Sequence, residues 1–209
     1  MKNATKYAET LRTLYKSLLK DGKPPALQKL DPLHALVRGA MSYDVSDARA
    51  DEAMRLIDRE FVNLNELRVA TELEVQELLG SKYPAIEQRV EMITSCLNAI
   101  FEKEHTLSLD RLKTVNKKDA RQFLRDLPGM HPFVEAYVML YGFEGPAVPL
   151  DEEMLTYLRA EGIFDEKTSL EDAQRFLEQH LKAEECHEFF SLVRRDVYSE
   201  AAKRKKPKA

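Results

Sequence analysis

Glycine and proline are sparse, at 7 and 9 of 209 residues, and apolar and polar side chains nowhere alternate over strand lengths. This argues against a β-rich fold and favours an all-α chain. Cysteine is scarcer still: only Cys96 and Cys186 occur, far apart and without metal-ligand spacing. The simplest reading is a reduced intracellular protein with free thiols. Residues 1–20 lack the continuous apolar core of a secretory leader, and no run is long enough to span a bilayer, so no membrane association is expected. No internal repeat is present.

Excess positive charge is also missing. The net charge is −4, and the closing KRKKPKA holds five cations (Lys203, Arg204, Lys205, Lys206, Lys208), so the rest of the chain carries −9. Duplex DNA is a polyanion bound largely by neutralising its phosphates. An acidic body disfavours strong DNA binding unless basic groups gather on one face. The tail either supplies that attraction or is a solvated terminus.

What the sequence does have is helical periodicity. Hydrophobic residues make up 44% and charged residues 33%, enough for a sizeable core with solvated faces in one domain or two small lobes. Tyr7, Leu11, Leu14 and Leu18 share a face of a helix over 5–20, which Asp21-Gly22-Lys23-Pro24-Pro25 ends. A second helix is predicted over 32–42, with Pro32 in its first turn after Asp31 and Leu33, Leu36, Val37 and Ala40 as its buried stripe. Ser46 caps a helix over 47–60, with Ala50, Met54 and Ile57 inward. Asn63…Glu66 and Thr71…Glu74 have capping-box spacing before two short helices. A longer helix over about 84–104 presents Ile86, Val90, Ile93, Leu97 and Ile100. Ser108 caps a short helix through Leu112. Asn116 opens another, with Ala120, Phe123 and Leu124 inward. Beyond Asp151 come a helix to about 161, one capped near Ser169, and a last over about 183–202 burying Phe189, Leu192, Val193 and Val197.

The stretch 124–153, LRDLPGMHPFVEAYVMLYGFEGPAVPLDEE, carries the most information. One helix ends at Leu127, Pro128-Gly129 turns the chain, and Pro132 opens a helix over about 133–143. A Gly145-Pro146 loop then leads to Asp151 at another helix start. This is a helix–hairpin–helix followed by a carboxylate at a helix N-terminus.

The stretch resembles the DNA-binding core of the endonuclease III-like DNA glycosylase superfamily. Other segments extend the resemblance, in order, over about 26–200: Asp31 to Val37 is similar to the family's opening helix, and Val37 to Ser46 to its LLSAQATDVS-type segment. Val148 to Asp151 is similar to the segment bearing the catalytic aspartate, and Cys186 to Leu192 to the helix before the iron–sulfur loop. The resemblance implies two helical lobes, 1–30 with 131–202 and 31–130, plus the basic tail 203–209, with the hairpin and Asp151 at their cleft. It implies base excision, in which a nucleotide is flipped out and its glycosidic bond broken. Asp151 becomes the catalytic carboxylate. DNA contact falls to Leu127, Gly129, Met130, His131 and Phe133 in the hairpin, and to Met41 and Ser42. The implied partner is double-stranded DNA, damaged or intact, met by a monomer in the cytoplasm (nucleoid-associated in a bacterium) or nucleus.

The match departs from the family pattern at several positions. Phe133 stands where bifunctional members carry the Schiff-base lysine, so lyase chemistry should be absent, as in monofunctional relatives. His131 stands at the hairpin's second glycine, where φ > 0 would strain it. Met41 replaces a gap-filling glutamine and offers an apolar wedge instead. Glu152 and Glu153 follow Asp151 and would repel phosphates. Tyr198 falls on the first cluster cysteine, and two cysteines cannot supply a four-thiolate iron–sulfur site, so no cofactor is expected.

Each candidate also has a plainer reading. Asp151 is equally a helix N-cap. His131 is a phosphate contact or an exposed hairpin histidine. Tyr137, Tyr141 and Phe143 line a base pocket or fill the core. Arg194 and Arg195 meet DNA or are surface charge, and His187 beside Cys186 is too small a set to argue a metal. The same scaffold without catalysis, binding DNA or a protein partner, is the alternative function. A helical interaction module with no DNA role is a third, which a basic strip facing the cleft would oppose.

Overall fold

The computed structural model describes residues 4–199, in which eleven α-helices, one 3-10 turn, one π-helical turn and no strand occur. The basic segment 203–209 lies outside the described residues. The chain divides into two compact units, Lys29–Gly145 and Met1–Gln28 with Pro146–Ala209.

The unit Lys29–Gly145 is built round α2 (Pro32–Ser42). The Asp31 carboxylate accepts the N–H groups of Leu33 (2.9 Å) and His34 (3.3 Å), and Pro32 fills the first helical position, where its missing N–H leaves no acceptor wanting. The predicted apolar stripe is an underestimate. Ala35, Gly39, Met41 and Ser42 are buried as well, as in a helix enclosed on several sides. Around it pack α3 (Asp47–Glu60), α6 (Ile86–Glu104), α8 (Pro132–Tyr137) and the π turn Val138–Gly142. Each fully buried Leu of α2 contributes about 1.5–3 kcal/mol over an exposed one.

Two short helices follow α3: α4 (Leu64–Val69) and α5 (Glu72–Leu79). Thr71 and Glu74 form the reciprocal capping box, whereas Glu66 reaches back to the Val62 N–H (2.7 Å) and leaves Asn63 to cap α4 alone. The 3-10 turn Asp110–Lys113 and α7 (Lys117–Arg125, capped by Asn116) complete the approach to the hairpin.

The helix predicted over 133–143 does not stay α-helical. At Val138 it widens into the π turn, closed by a Phe143 N–H to Val138 carbonyl bond of 3.2 Å. The wide turn lays Gly142 against α2: a Cβ there would lie 2.9 Å from the Pro32 Cα, so only glycine fits. Residues 131–145 therefore sit with 29–130 and not, as the sequence suggests, with the chain termini. Their partners, α2 and α7, are in this unit.

The other unit holds α1 (Ala4–Asp21), α9 (Glu152–Ala160), α10 (Leu170–His180) and α11 (Ala183–Tyr198). Helix α1 packs on α11, and α9 on both α10 and α11. Tyr7 meets Phe164 and Phe176 edge to face at 6.0 and 6.1 Å and donates its hydroxyl to Asp165 (3.0 Å). Helix α11 ends at Tyr198, short of the expected 202, with Ser199 as its C-cap.

Both cysteines are buried thiols. Burial pushes Cys96 up to about 12, and burial with Glu178 and Glu185 pushes Cys186 up to about 11. Because the thiolate is the nucleophile, neither should react with iodoacetamide in the folded protein at about pH 8, and both should alkylate once denatured. Mass spectrometry reads this directly, and a fast adduct on either cysteine of the native protein contradicts it.

Candidate nucleic-acid interface

The hairpin joins α7 to α8. Leu127 closes the end of α7 through its N–H to the Leu124 carbonyl (3.2 Å), and the Met130 N–H returns to the Leu127 carbonyl (3.3 Å). Gly129 makes the turn at φ +68°, a conformation glycine adopts without a Cβ penalty. It is exposed, and its N–H meets no acceptor among the described residues.

His131 behaves differently from the expectation. Its φ is −79°, so replacing a glycine by histidine strains nothing at this position, and it serves as the N-cap of α8, its Nδ1 accepting the Phe133 N–H at 3.2 Å. Its ring lies flat on Tyr43, with centroids 4.2 Å apart and planes 8° from parallel. Since Pro132 has no N–H and Phe133 spends its own on His131, the helix start offers fewer donors to an anion than the sequence suggests. Glu135, 2% exposed, holds the two hairpin helices together by accepting from Arg121 and from Arg125 (3.0 Å), both on α7.

Of the residues assigned to DNA contact, Gly129 is exposed and Met130 and His131 are part-exposed, while Leu127, Phe133, Met41 and Ser42 are 3, 0, 0 and 1% exposed. The last four side chains fill the unit's core, and a contact through them needs a rearrangement. Met41 lies on an enclosed helix, its carbonyl accepting the Tyr83 hydroxyl (2.6 Å), and the Ser42 hydroxyl donates to the Arg38 carbonyl (2.7 Å). Tyr137 and Phe143 are likewise core, at 5 and 4%, and Tyr141, half-buried, lies against Tyr137 with centroids 4.4 Å apart.

Sequence reasoning passed over a run of cations before the hairpin. Arg111, Lys113, Lys117, Lys118, Arg121 and Arg125 face a single acid, Asp119, between 111 and 125. A windowed charge count would have found it. Most are engaged: Arg111 with Glu104, Lys113 with Asp110, Lys117 with the Phe143 carbonyl, and Arg121 and Arg125 with Glu135. Lys118 is exposed and has no such partner among the described residues.

In the other unit, Asp151 is 1% exposed and fully engaged. One carboxylate oxygen accepts the Met154 N–H (2.9 Å), capping α9, and the other accepts the Tyr198 hydroxyl (2.8 Å) from α11. The Arg194 guanidinium, 2% exposed, stands 3.6 Å away. Glu152 and Glu153 follow in the first turn of α9, where acids favour the helix dipole.

No protein-family model matches the chain, and no curated protein is significantly similar to it in sequence. Solved structures do match. A trapped endonuclease III–DNA covalent intermediate superimposes with a TM-score of 0.71 at 14% identity, over 90% of this chain and 85% of that one. The 8-oxoguanine glycosylase/lyase of Clostridium acetobutylicum, in complex with double-stranded DNA, gives 0.69 at 17% over 95% and 71%. The 3-methyladenine DNA glycosylase of H. pylori, bound to 1,N6-ethenoadenine, gives 0.63 at 15% over 91% and 94%. The chain has the helix-hairpin-helix DNA glycosylase fold. Against that fold, Tyr198 gains a role its sequence position does not suggest. It stands where the resemblance places the first cluster cysteine, and it donates to Asp151. Among the described residues, no group of three or more His, Cys, Asp or Glu is placed to hold a metal ion, and no helix is long and apolar enough to cross a membrane.

Proposed function

We propose that the chain binds double-stranded DNA through the hairpin around Gly129, as a DNA glycosylase-like protein of base-excision repair. The exposed left-handed Gly129 turn, with an N–H that no described residue accepts, is the observation that carries this reading. Backbone donors in such a turn hold a phosphate oxygen whatever the base, which positions a protein on duplex DNA without reading its sequence. Met130 and His131 flank the contact, and Lys118 adds a cation. The protein acts as a monomer, in the cytoplasm or the nucleus.

For the chemistry, the surroundings of Asp151 favour the scaffold without catalysis over a monofunctional enzyme. A glycosylase carboxylate stabilises a developing sugar cation or orients a water, and does so through charge left uncompensated toward the substrate. In this chain that charge is opposed by Arg194, and both oxygens already accept hydrogen bonds. An active enzyme would first have to free Asp151 from Tyr198 and Arg194. It would be monofunctional, since Phe133 offers no amine for a Schiff base.

Duplex binding and base release from a panel of damaged duplexes, measured for the wild type, Asp151→Asn and Tyr198→Phe, test this. All three should bind alike, and none should release a base above the uncatalysed rate. Release that disappears in Asp151→Asn while binding persists would establish a monofunctional glycosylase and overturn the scaffold reading.

A further inference from the structure

We propose that a groove between the end of α3, α4 and α5 takes a lysine- or arginine-rich segment of a protein partner, seating one aliphatic side chain between its cations. The groove is a cavity of about 480 Å3, with Phe61, Val69 and Leu78 among its apolar lining. Val69 is 64% exposed, and nearby Leu73 and Val62 are 64 and 85% exposed. Large aliphatic side chains gathered at a concave site mark a surface that meets something.

The other lining residues say what. Glu60, Glu66, Glu74 and Glu77 stand around the same cavity, and none forms an ion pair among the described residues. Glu66 and Glu74 have structural work, accepting from Val62 and from Thr71. Glu60 and Glu77 cap nothing and make no hydrogen bond there. Arg68, the cation of α4, is turned toward Asn98 (2.9 Å) and the Phe101 ring (4.3 Å). Four unneutralised carboxylates round an apolar lining repel a phosphate backbone, so this surface is separate from any DNA contact. They complement a cationic peptide, whose charges supply orientation and whose aliphatic residue supplies desolvation.

The test uses the full chain and a labelled synthetic KKLKK peptide, followed by fluorescence anisotropy at low salt. Saturable binding is expected, weakening about fivefold in the Glu60→Gln/Glu77→Gln variant and by a similar factor when the peptide's leucine is replaced by glycine. Neither glutamate caps a helix, so the variant should fold as the wild type does. The proposal is overturned if no saturable binding occurs, if the groove variant binds undiminished, or if Glu102→Gln/Glu184→Gln, exposed acids outside the groove lining, weakens binding equally. A chain lacking 203–209 that binds the peptide about tenfold more tightly would make its own basic segment the occupant, and would overturn the partner reading.

Discussion

Replacing Asp151 by alanine is expected to destabilise the protein by about 3–5 kcal/mol, because it strands the buried guanidinium of Arg194. The lost cap of α9 alone accounts for about 1 kcal/mol of this. Asp151→Asn should fall between, since the amide oxygen still caps α9 while an NH2 replaces the oxygen that accepts from Tyr198 and faces Arg194. Adding Arg194→Met to Asp151→Ala should recover much of the loss, because removing both members of a buried pair is far milder than removing one. Denaturant unfolding of the wild type, Asp151→Ala, Arg194→Met and the double variant forms a double-mutant cycle that isolates the pair. The outcome separates the two readings of this aspartate. A residue held in place for chemistry commonly burdens the fold, and its removal is neutral or stabilising. A loss under about 1 kcal/mol in Asp151→Ala would therefore contradict a structural role for this aspartate.

Arg89→Met should be comparably damaging, at about 3–5 kcal/mol, although Arg89 belongs to no candidate site. The side chain is 1% exposed. Its guanidinium donates to the carbonyls of Pro84 (2.6 Å), Tyr43 (2.6 Å) and Ala40, and lies 3.6 Å from the centre of the Tyr43 ring. It thus satisfies the Ala40 carbonyl in the last turn of α2 and that of the C-cap Tyr43, and ties the segment before α6 to them through Pro84. Methionine fills the space but leaves those acceptors dry. Lysine keeps the charge without the planar fork and should rescue only part of the loss. An Arg89→Met variant within about 1 kcal/mol of the wild type would mean that desolvating the guanidinium offsets the bonds it makes.

Arg89 also shows where sequence reading reaches its end. Helices α2 and α3, and the caps Asp31, Asn63, Thr71, Asn116 and Ser169, are legible because each depends on residues within a turn of one another. The hairpin is legible for the same reason, since Pro-Gly followed by Pro breaks one helix and starts another whatever the surroundings. Nothing within a turn of Arg89 or Glu135 marks either as buried, and their burial is decided by carbonyls and arginines supplied from elsewhere in the chain. Met41 reads as a DNA wedge because the resemblance aligns it with one, but an apolar side chain on an enclosed helix goes inward. In sequence, Asp151 is open between cap and catalyst. In the fold it is a cap, and what sequence does not supply is Tyr198 on α11, whose hydroxyl comes from 47 positions away. The π turn has no local signature at all, apart from Gly142, which packing on Pro32 requires.

The most direct test of the hairpin as the DNA contact is duplex binding as a function of salt, for the wild type and Gly129→Ala. The substitution puts a Cβ on a residue at φ +68°, which costs about 1 kcal/mol and shifts the turn amide while leaving every charge in place. Wild-type binding should be measurable at low salt and fall steeply as salt rises, in the manner of phosphate contacts. Gly129→Ala should bind roughly tenfold more weakly at each salt, with its thermal midpoint lowered by only a few degrees. Equal binding by the two proteins, or none by the wild type at the lowest salt, would contradict that role for the hairpin.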